Sequence, residues 1–229
     1  RWAGARPEYL MNMEGTRTIL NKSYRLSKLI HAKANNLIKR VKDRVDKEWT
    51  SRDEKGEVNI YPVEQLQKMK EGQWLILARD GYRLDKLEEE LKIYGYYFAR
   101  GDRVSINKRV QDAVLAWEDI RKGKMLDIKR VKSFYNYIKT GTGVAKEHKA
   151  MKNVDKEKLF SFDTLTSEYG LKVSKDLPWF KALENIEDNK KTYVRMCLRR
   201  KENIRRAPRI KLSTIHGSKG GEADNVMLL

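Results

Sequence analysis

The stretch Gln73-Trp-Leu-Ile-Leu-Ala-Arg79 constrains this chain more than any other. A continuous apolar run without polar alternation marks a strand buried on both faces, the habit of parallel sheets. Asp80-Gly81 then turns the chain into a helix carrying Leu84, Leu87 and Leu91. Gly95 closes that helix, and Tyr96-Tyr-Phe-Ala99 reads as the next strand. Strand, helix and strand within about thirty residues form the βαβ unit of a parallel sheet, so the expected fold class is α/β.

On either side of this unit the pattern is mixed. Thr18-Ile-Leu20 reads as a short strand, followed by a helix from about Leu26 with an apolar stripe through Leu29, Ile30, Leu37, Ile38 and Val41. Residues 42–57 are charged and read as a loop, and Val58-Asn-Ile-Tyr61 as a strand ended by Pro62. From Asn107 the character changes. Residues 108–207 contain 25 Lys/Arg against 14 Asp/Glu, a net of +11, and no convincing buried strand. Helical stripes run through Val110, Val114, Trp117 and Ile120, then Ile128, Val131, Phe134 and Ile138. A last helix is expected from about Asn189 to Arg205, with arginines at 195, 199, 200, 205 and 206 around its other faces. Arg209-Ile-Lys-Leu-Ser-Thr214 returns to strand-like alternation, and Val226-Met-Leu-Leu229 reads as another strand. The expected organisation is a discontinuous sheet domain, residues 1–106 and 208–229. A mainly helical basic insertion, residues 107–207, interrupts it and is large enough to hold its own core.

Charge points to the partner class. The formal net charge of +18 favours polyanions through counterion release, although a solvated basic surface has the same composition. The single cysteine, Cys197, excludes an internal disulfide, and no Cys/His cluster has zinc spacing. No apolar run approaches the roughly 20 residues that span a bilayer, and no signal peptide is recognisable. The expectation is a cytoplasmic protein with no membrane partner and no metal ligands, and both ends read as cut from a longer chain.

The most specific segment is Ser213-Thr-Ile-His-Gly-Ser-Lys-Gly-Gly-Glu222. Glycines at 217, 220 and 221 allow close approach of backbone to a ligand and would leave amides for phosphate; a flexible surface turn is the alternative. The wording of the loop resembles motif V of the UvrD/Rep-like superfamily 1 DNA helicases, usually T-[IL]-H-x-[SA]-K-G-L-E-x-D. Thr214, His216, Ser218, Lys219, Gly220, Glu222 and Asp224 fall on that pattern, while Gly221 and Ala223 depart from it. The resemblance implies that Thr214 and His216 face single-stranded DNA, and that Gly220 and Glu222 belong to the ATP site, Glu222 at the ribose.

Three further segments are similar to that family's motifs and follow its order. Leu20-Asn-Lys-Ser-Tyr-Arg25, with Ala34-Asn35 and Leu37-Ile38 after it, is similar to motif IV, with Ser23 where Asn is usual. It makes Arg25 the implied catalytic arginine finger on the γ-phosphate of ATP. Arg1-Trp-Ala-Gly-Ala5 resembles the tail of motif III, which makes Trp2 the implied stacking partner of a DNA base. Leu75-Ile-Leu-Ala-Arg79 resembles motif IVa, implying a DNA-backbone contact for Arg79, with a structural role at the strand end as the alternative.

The insertion falls where the family places its 2B subdomain, so the resemblance implies a RecA-like 2A domain interrupted by a 2B-like insertion. It further implies an ATP-dependent helicase that translocates 3′ to 5′ on single-stranded DNA and unwinds duplex in a bacterial or phage-infected cell. There is no Gly-x-x-x-x-Gly-Lys-[Ser/Thr] loop, and Gly141-Thr-Gly143 lacks its lysine. The phosphate loop, the Mg²⁺ ligands and a first motor domain are therefore expected N-terminal to Arg1, and this part alone is expected to be inactive as an ATPase. Two other readings stay open: a non-catalytic nucleic-acid-binding module using the basic helices, and the motor part of a helicase-nuclease subunit.

Overall fold

The computed structural model describes residues 9, 12–16, 18–42, 46–60, 62, 69, 71–152, 154–155 and 157–229. The chain forms two compact units, Arg1–Val63 and Glu64–Leu229.

The first unit contains the helix α1 (Lys28–Ile38), preceded by Ser27 in extended conformation. Its first amides are satisfied by main chain: Lys28 and Leu29 N–H donate to the Glu54 and Lys55 carbonyls. Pairing between Ser23 and Thr50, and between Arg52 and Leu26, holds residues 50–55 against the approach to the helix. His31 meets Trp49 edge-on at 4.1 Å, and Trp49 Nε1 donates to Asn35 Oδ1. The apolar stripe foreseen for this helix exists, but α1 buries none of its side chains, and Leu37 is 64% exposed. Two expected strands are absent. Residues 18–20 and 58–60 are irregular, with a single bridge between Lys22 and Thr50, while Tyr61 lies outside the described residues.

The second unit contains a five-stranded, mostly parallel sheet, so the chain is α/β as expected. Strand β1 (Trp74–Ala78) is followed by α2 (Gly81–Ile93), β2 (Phe98–Arg100) and a short β3 (Arg103–Val104). The helices α3 (Lys108–Ile120), α4 (Ile128–Tyr135), α5 (Phe162–Ser167), α6 (Trp179–Ala182) and α7 (Asp188–Arg199) come next, and then β4 (Ile210–Thr214) and β5 (Asn225–Leu228). The strand order is β3-β2-β4-β1-β5, and only the β2–β3 pair is antiparallel. Thus β4, returning after the helices, inserts between β1 and β2: Trp74 pairs with Ile210 and Ala78 with Thr214.

Local chemistry explains the boundaries. Asp80 caps α2 by accepting from Arg83 N–H, and Asp127 and Ser161 do the same for α4 and α5. Gly95, at φ +71°, ends α2 in the left-handed conformation glycine favours. The last helix stops at Arg199 rather than near 205, because Lys201 takes a left-handed conformation (φ +64°) and closes it.

Buried apolar residues of this unit fall into two clusters. One holds Ile76, Ala78, Leu84, Leu87, Leu91, Ile210 and Leu212 between the sheet and α2. The other gathers the helical stripes around Trp117, Phe134, Phe160 and Cys197. Strand β1 has no exposed residue on either face, in line with its apolar run, but that coverage does not extend to the edge of the sheet. The second face carries Leu75 and Leu77, but its neighbours Val226 and Leu228 on β5 are 54% and 70% exposed.

Candidate functional site

The parallel register sets the geometry of the glycine-rich segment. Ala78 and Thr214 are paired at the carboxyl ends of β1 and β4, and Ile215 N–H donates to the Ala78 carbonyl at 3.0 Å. That bond puts Ile215 and His216, both exposed, at the edge where exposed Arg79 and the capped start of α2 also lie. Carboxyl edges of parallel strands are where α/β folds collect ligands, because loops and helix N-termini converge there. Thr214, His216 and Arg79 are therefore brought together on one rim.

Glu222 sits elsewhere. Asn225 pairs with Trp74 at the amino end of β1, and Asp224 Oδ2 accepts from Gln73 N–H at 2.9 Å. In ten residues the segment 215–224 therefore runs back along β1, a distance of about 13 Å for four strand steps. A Cβ built on Gly221 would sit 3.9 Å from Leu75 Cδ2, so the second half of the segment lies on the sheet face above β1. Glu222 is exposed there, toward the amino edge and away from the rim that holds Thr214. Asp224, which enters the sequence pattern only as a matched letter, is the pin that holds the returning chain to β1.

The segment is also more ordered than a phosphate cradle. Gly217 N–H donates to Thr214 Oγ1 at 3.1 Å, Ser218 N–H to the Thr214 carbonyl, Lys219 N–H to His216 and Gly221 N–H to Ser218. With Ile215 bound to Ala78, five amides are engaged internally. The expectation that glycine would leave these amides for phosphate is not met. Glycine serves close packing at 217, where a Cβ would come within 2.8 Å of Ser213 Oγ, and backbone conformation at 220, where φ is +83° and the space beside it is open. What the segment presents outward is side chains: the His216 imidazole, the Lys219 ammonium and the Glu222 carboxylate are all exposed.

Arg25 belongs to the first unit. It does not start a helix: it lies in a bend three residues before α1. Ser23 Oγ accepts from Leu26 N–H at 3.3 Å, closing a turn whose central residues, Tyr24 and Arg25, are both exposed. Trp2 lies outside the described residues.

Protein-family models, curated proteins and solved structures yield no match to this chain.

The sequence did not disclose how many cations are already used within the fold. Arg100, at the end of β2, is bound to Asp85, Glu88 and the Gly81 carbonyl on α2. Arg200 stacks on Tyr96 with its guanidinium carbon 3.9 Å from the ring centre. Arg205 grips Asp119 with two hydrogen bonds of 2.7 and 3.0 Å. Part of the positive surplus foreseen for nucleic acid is therefore structural. Among the described residues no group of three His, Cys, Asp or Glu side chains could hold a metal ion, and no helix is long and apolar enough to cross a membrane.

Proposed function

We propose that this chain is the 2A and 2B-like part of an ATP-dependent DNA helicase of the UvrD/Rep type, working on single-stranded DNA ahead of a duplex. The observation that carries the reading is the rim at the carboxyl ends of β1 and β4. There Thr214, His216 and Arg79 stand together, where a segment with the motif V wording leaves a parallel sheet.

In this reading Thr214 and His216 contact a single strand, Arg79 its phosphates, and Trp2 a base. Base stacking on an aromatic side chain contributes about 1–3 kcal/mol. Glu222, on the far side of the same short segment, accepts a hydrogen bond from the ATP ribose, with Gly220 beside it. The engaged amides argue against phosphate binding by the loop backbone, so Arg25 is the group assigned to the γ-phosphate. A guanidinium suits charge spread over phosphoryl oxygens because its donors are planar and permanently charged. ATP is the substrate, and Mg²⁺ is assigned to ligands of the companion motor domain. Rigid pinning at Ala78 and Gln73 lets one segment transmit a shift at Glu222 to His216.

The test uses the protein joined to its first motor domain. Arg25→Ala should reduce DNA-stimulated ATP hydrolysis by about a thousandfold or more. His216→Ala should weaken single-strand binding and stimulation while leaving DNA-independent hydrolysis in place. Unchanged turnover in Arg25→Ala removes the finger assignment, and an absence of DNA-stimulated hydrolysis in the joined protein removes the helicase reading. The net charge of +11 across residues 108–207 favours a second reading, a nucleic-acid module with no nucleotide dependence. It predicts salt-sensitive DNA binding that ATP analogues do not alter.

A further inference from the structure

Away from the rim, the helical part of the second unit carries an open groove of about 600 Å³. Its walls are apolar, with Leu115 of α3, Pro178 and Phe180 around α6, and Leu198 of α7. Its lining also includes Lys122 and Lys201, both exposed, and Arg205, which is held by Asp119. Two carboxylates line it as well, and both are neutralised: Glu118 pairs with Arg121 at 3.1 Å and Glu202 with Arg209 at 2.8 Å. The uncompensated charge at the groove is therefore positive. Phe180 is already half of a stack, since Arg195 lies over its ring with the guanidinium carbon 4.3 Å from the centre. Arginine against an aromatic ring is the arrangement single-strand binders extend when a base joins the stack.

Lys201 supplies an independent sign. It occupies the position after the α7 C-cap, with Lys201 N–H bound to the Leu198 carbonyl and Glu202 N–H to Cys197. This is the Schellman arrangement, whose left-handed residue is usually glycine. At φ +64° a lysine stands where glycine is the commoner residue, which directs attention to what its side chain does. Lys201 is one of the residues that line the groove.

We propose that this groove binds single-stranded nucleic acid, with a base against Phe180 and flanking phosphates on Lys122 and Lys201. The proposal rests on the nucleic-acid reading of the chain but not on the segment 215–224. Apolar side chains interleaved with cations in one lining suit a chain of flat bases on an anionic backbone. A duplex keeps its base faces stacked inside and has none to offer.

The whole chain is tested by fluorescence anisotropy with a short labelled oligothymidylate, an abasic strand of equal length and a duplex, across a salt series. Thermal unfolding of each variant is measured in parallel. Lys201→Gly should raise the unfolding midpoint, because glycine suits the backbone, and yet weaken single-strand binding. Its log–log salt slope should fall by about 0.7, the value for one lost phosphate contact. Phe180→Leu, which keeps the wall apolar, should lose about fivefold or more and abolish the preference for oligothymidylate over the abasic strand. Unchanged binding in both variants overturns the proposal, as does equal affinity of the native chain for the abasic strand or for duplex. Weaker binding in Lys201→Gly accompanied by a lower midpoint also overturns it, since the lysine would then be structural. If binding falls in His216→Ala but not in the groove variants, this site fails while the helicase reading stands. If the native chain binds no nucleic acid, both fail.

Discussion

Cys197 is the residue whose chemistry the fold most clearly silences. It is buried in the helical cluster, and that burial is the main reason its thiol is pushed up to about 12, with the nearby Glu202 carboxylate acting in the same direction. The thiolate is the nucleophile, so the native chain should resist a disulfide-exchange reagent at mildly alkaline pH and react with one equivalent only once denatured. Rapid native labelling would show that α7 opens readily. Gly95 is a second residue with one narrow role. Its φ of +71° disfavours any L side chain, and a Cβ there would lie 2.7 Å from Met196 Cβ and 2.9 Å from that residue's carbonyl carbon. Gly95→Ala should therefore destabilise by about 2–5 kcal/mol in a denaturant titration. The sequence marks Gly95 as a helix end; that α7 passes directly against it is a tertiary fact no local pattern contains.

At the scale of elements, Asp119 organises the helices. Its side chain is 3% exposed and receives Arg130 of α4 at 2.6 Å, Lys124 at 3.0 Å and the bidentate Arg205. One carboxylate thus joins α3, α4 and the segment that returns to the sheet. Burial alone would raise the Asp119 pKa, but hydrogen bonds from Arg205, Arg130 and Lys124 outweigh it and hold the carboxyl well below the usual carboxylate range. Such a group contributes its stability fully above the unfolded-state value and loses it as pH falls toward the folded one. Asp119→Asn should cost about 2–3 kcal/mol at neutral pH, less than a fully buried pair because the three cations are partly solvated. The gap between the variants should narrow as pH drops from about 5 to about 2. A gap that stays constant in acid urea melts would count against the ion cluster. The helices themselves were legible in sequence, because the stripes through Trp117 and Phe134 repeat at helical spacing. The roles of Arg200 and Arg205 were not, since surface and structural arginines look alike until a buried acceptor is placed beside them.

Over the whole second unit, the question is whether two hydrophobic clusters make one cooperative body. Segment 96–98 answers at the level of alternation: Tyr96 and Phe98 belong to the sheet cluster, while Tyr97 between them belongs to the helical one. The composition shift at Asn107 anticipated two bodies of side chains, but this shared wall is invisible in it, because all three residues are simply aromatic. A polar seam runs across the same boundary. Tyr193 Oη of α7 donates to the Tyr96 carbonyl at 2.6 Å and receives the Ser105 hydroxyl at 2.7 Å, while Ser105 Oγ accepts from Phe98 N–H. Arg209, leading into β4, binds both Glu202 and the Met69 carbonyl. Tyr193→Phe leaves the Tyr96 carbonyl and Ser105 short of a partner, a loss of about 1–3 kcal/mol. If the seam couples the clusters, amide exchange in β4 and in α3 should accelerate by the same factor in that variant, because both open only in the shared unfolding step. Faster exchange confined to α3 would mean that the helical part opens alone. The sheet with its rim at Thr214 would then be the more persistent frame, and the basic helices a separately folding body mounted on it.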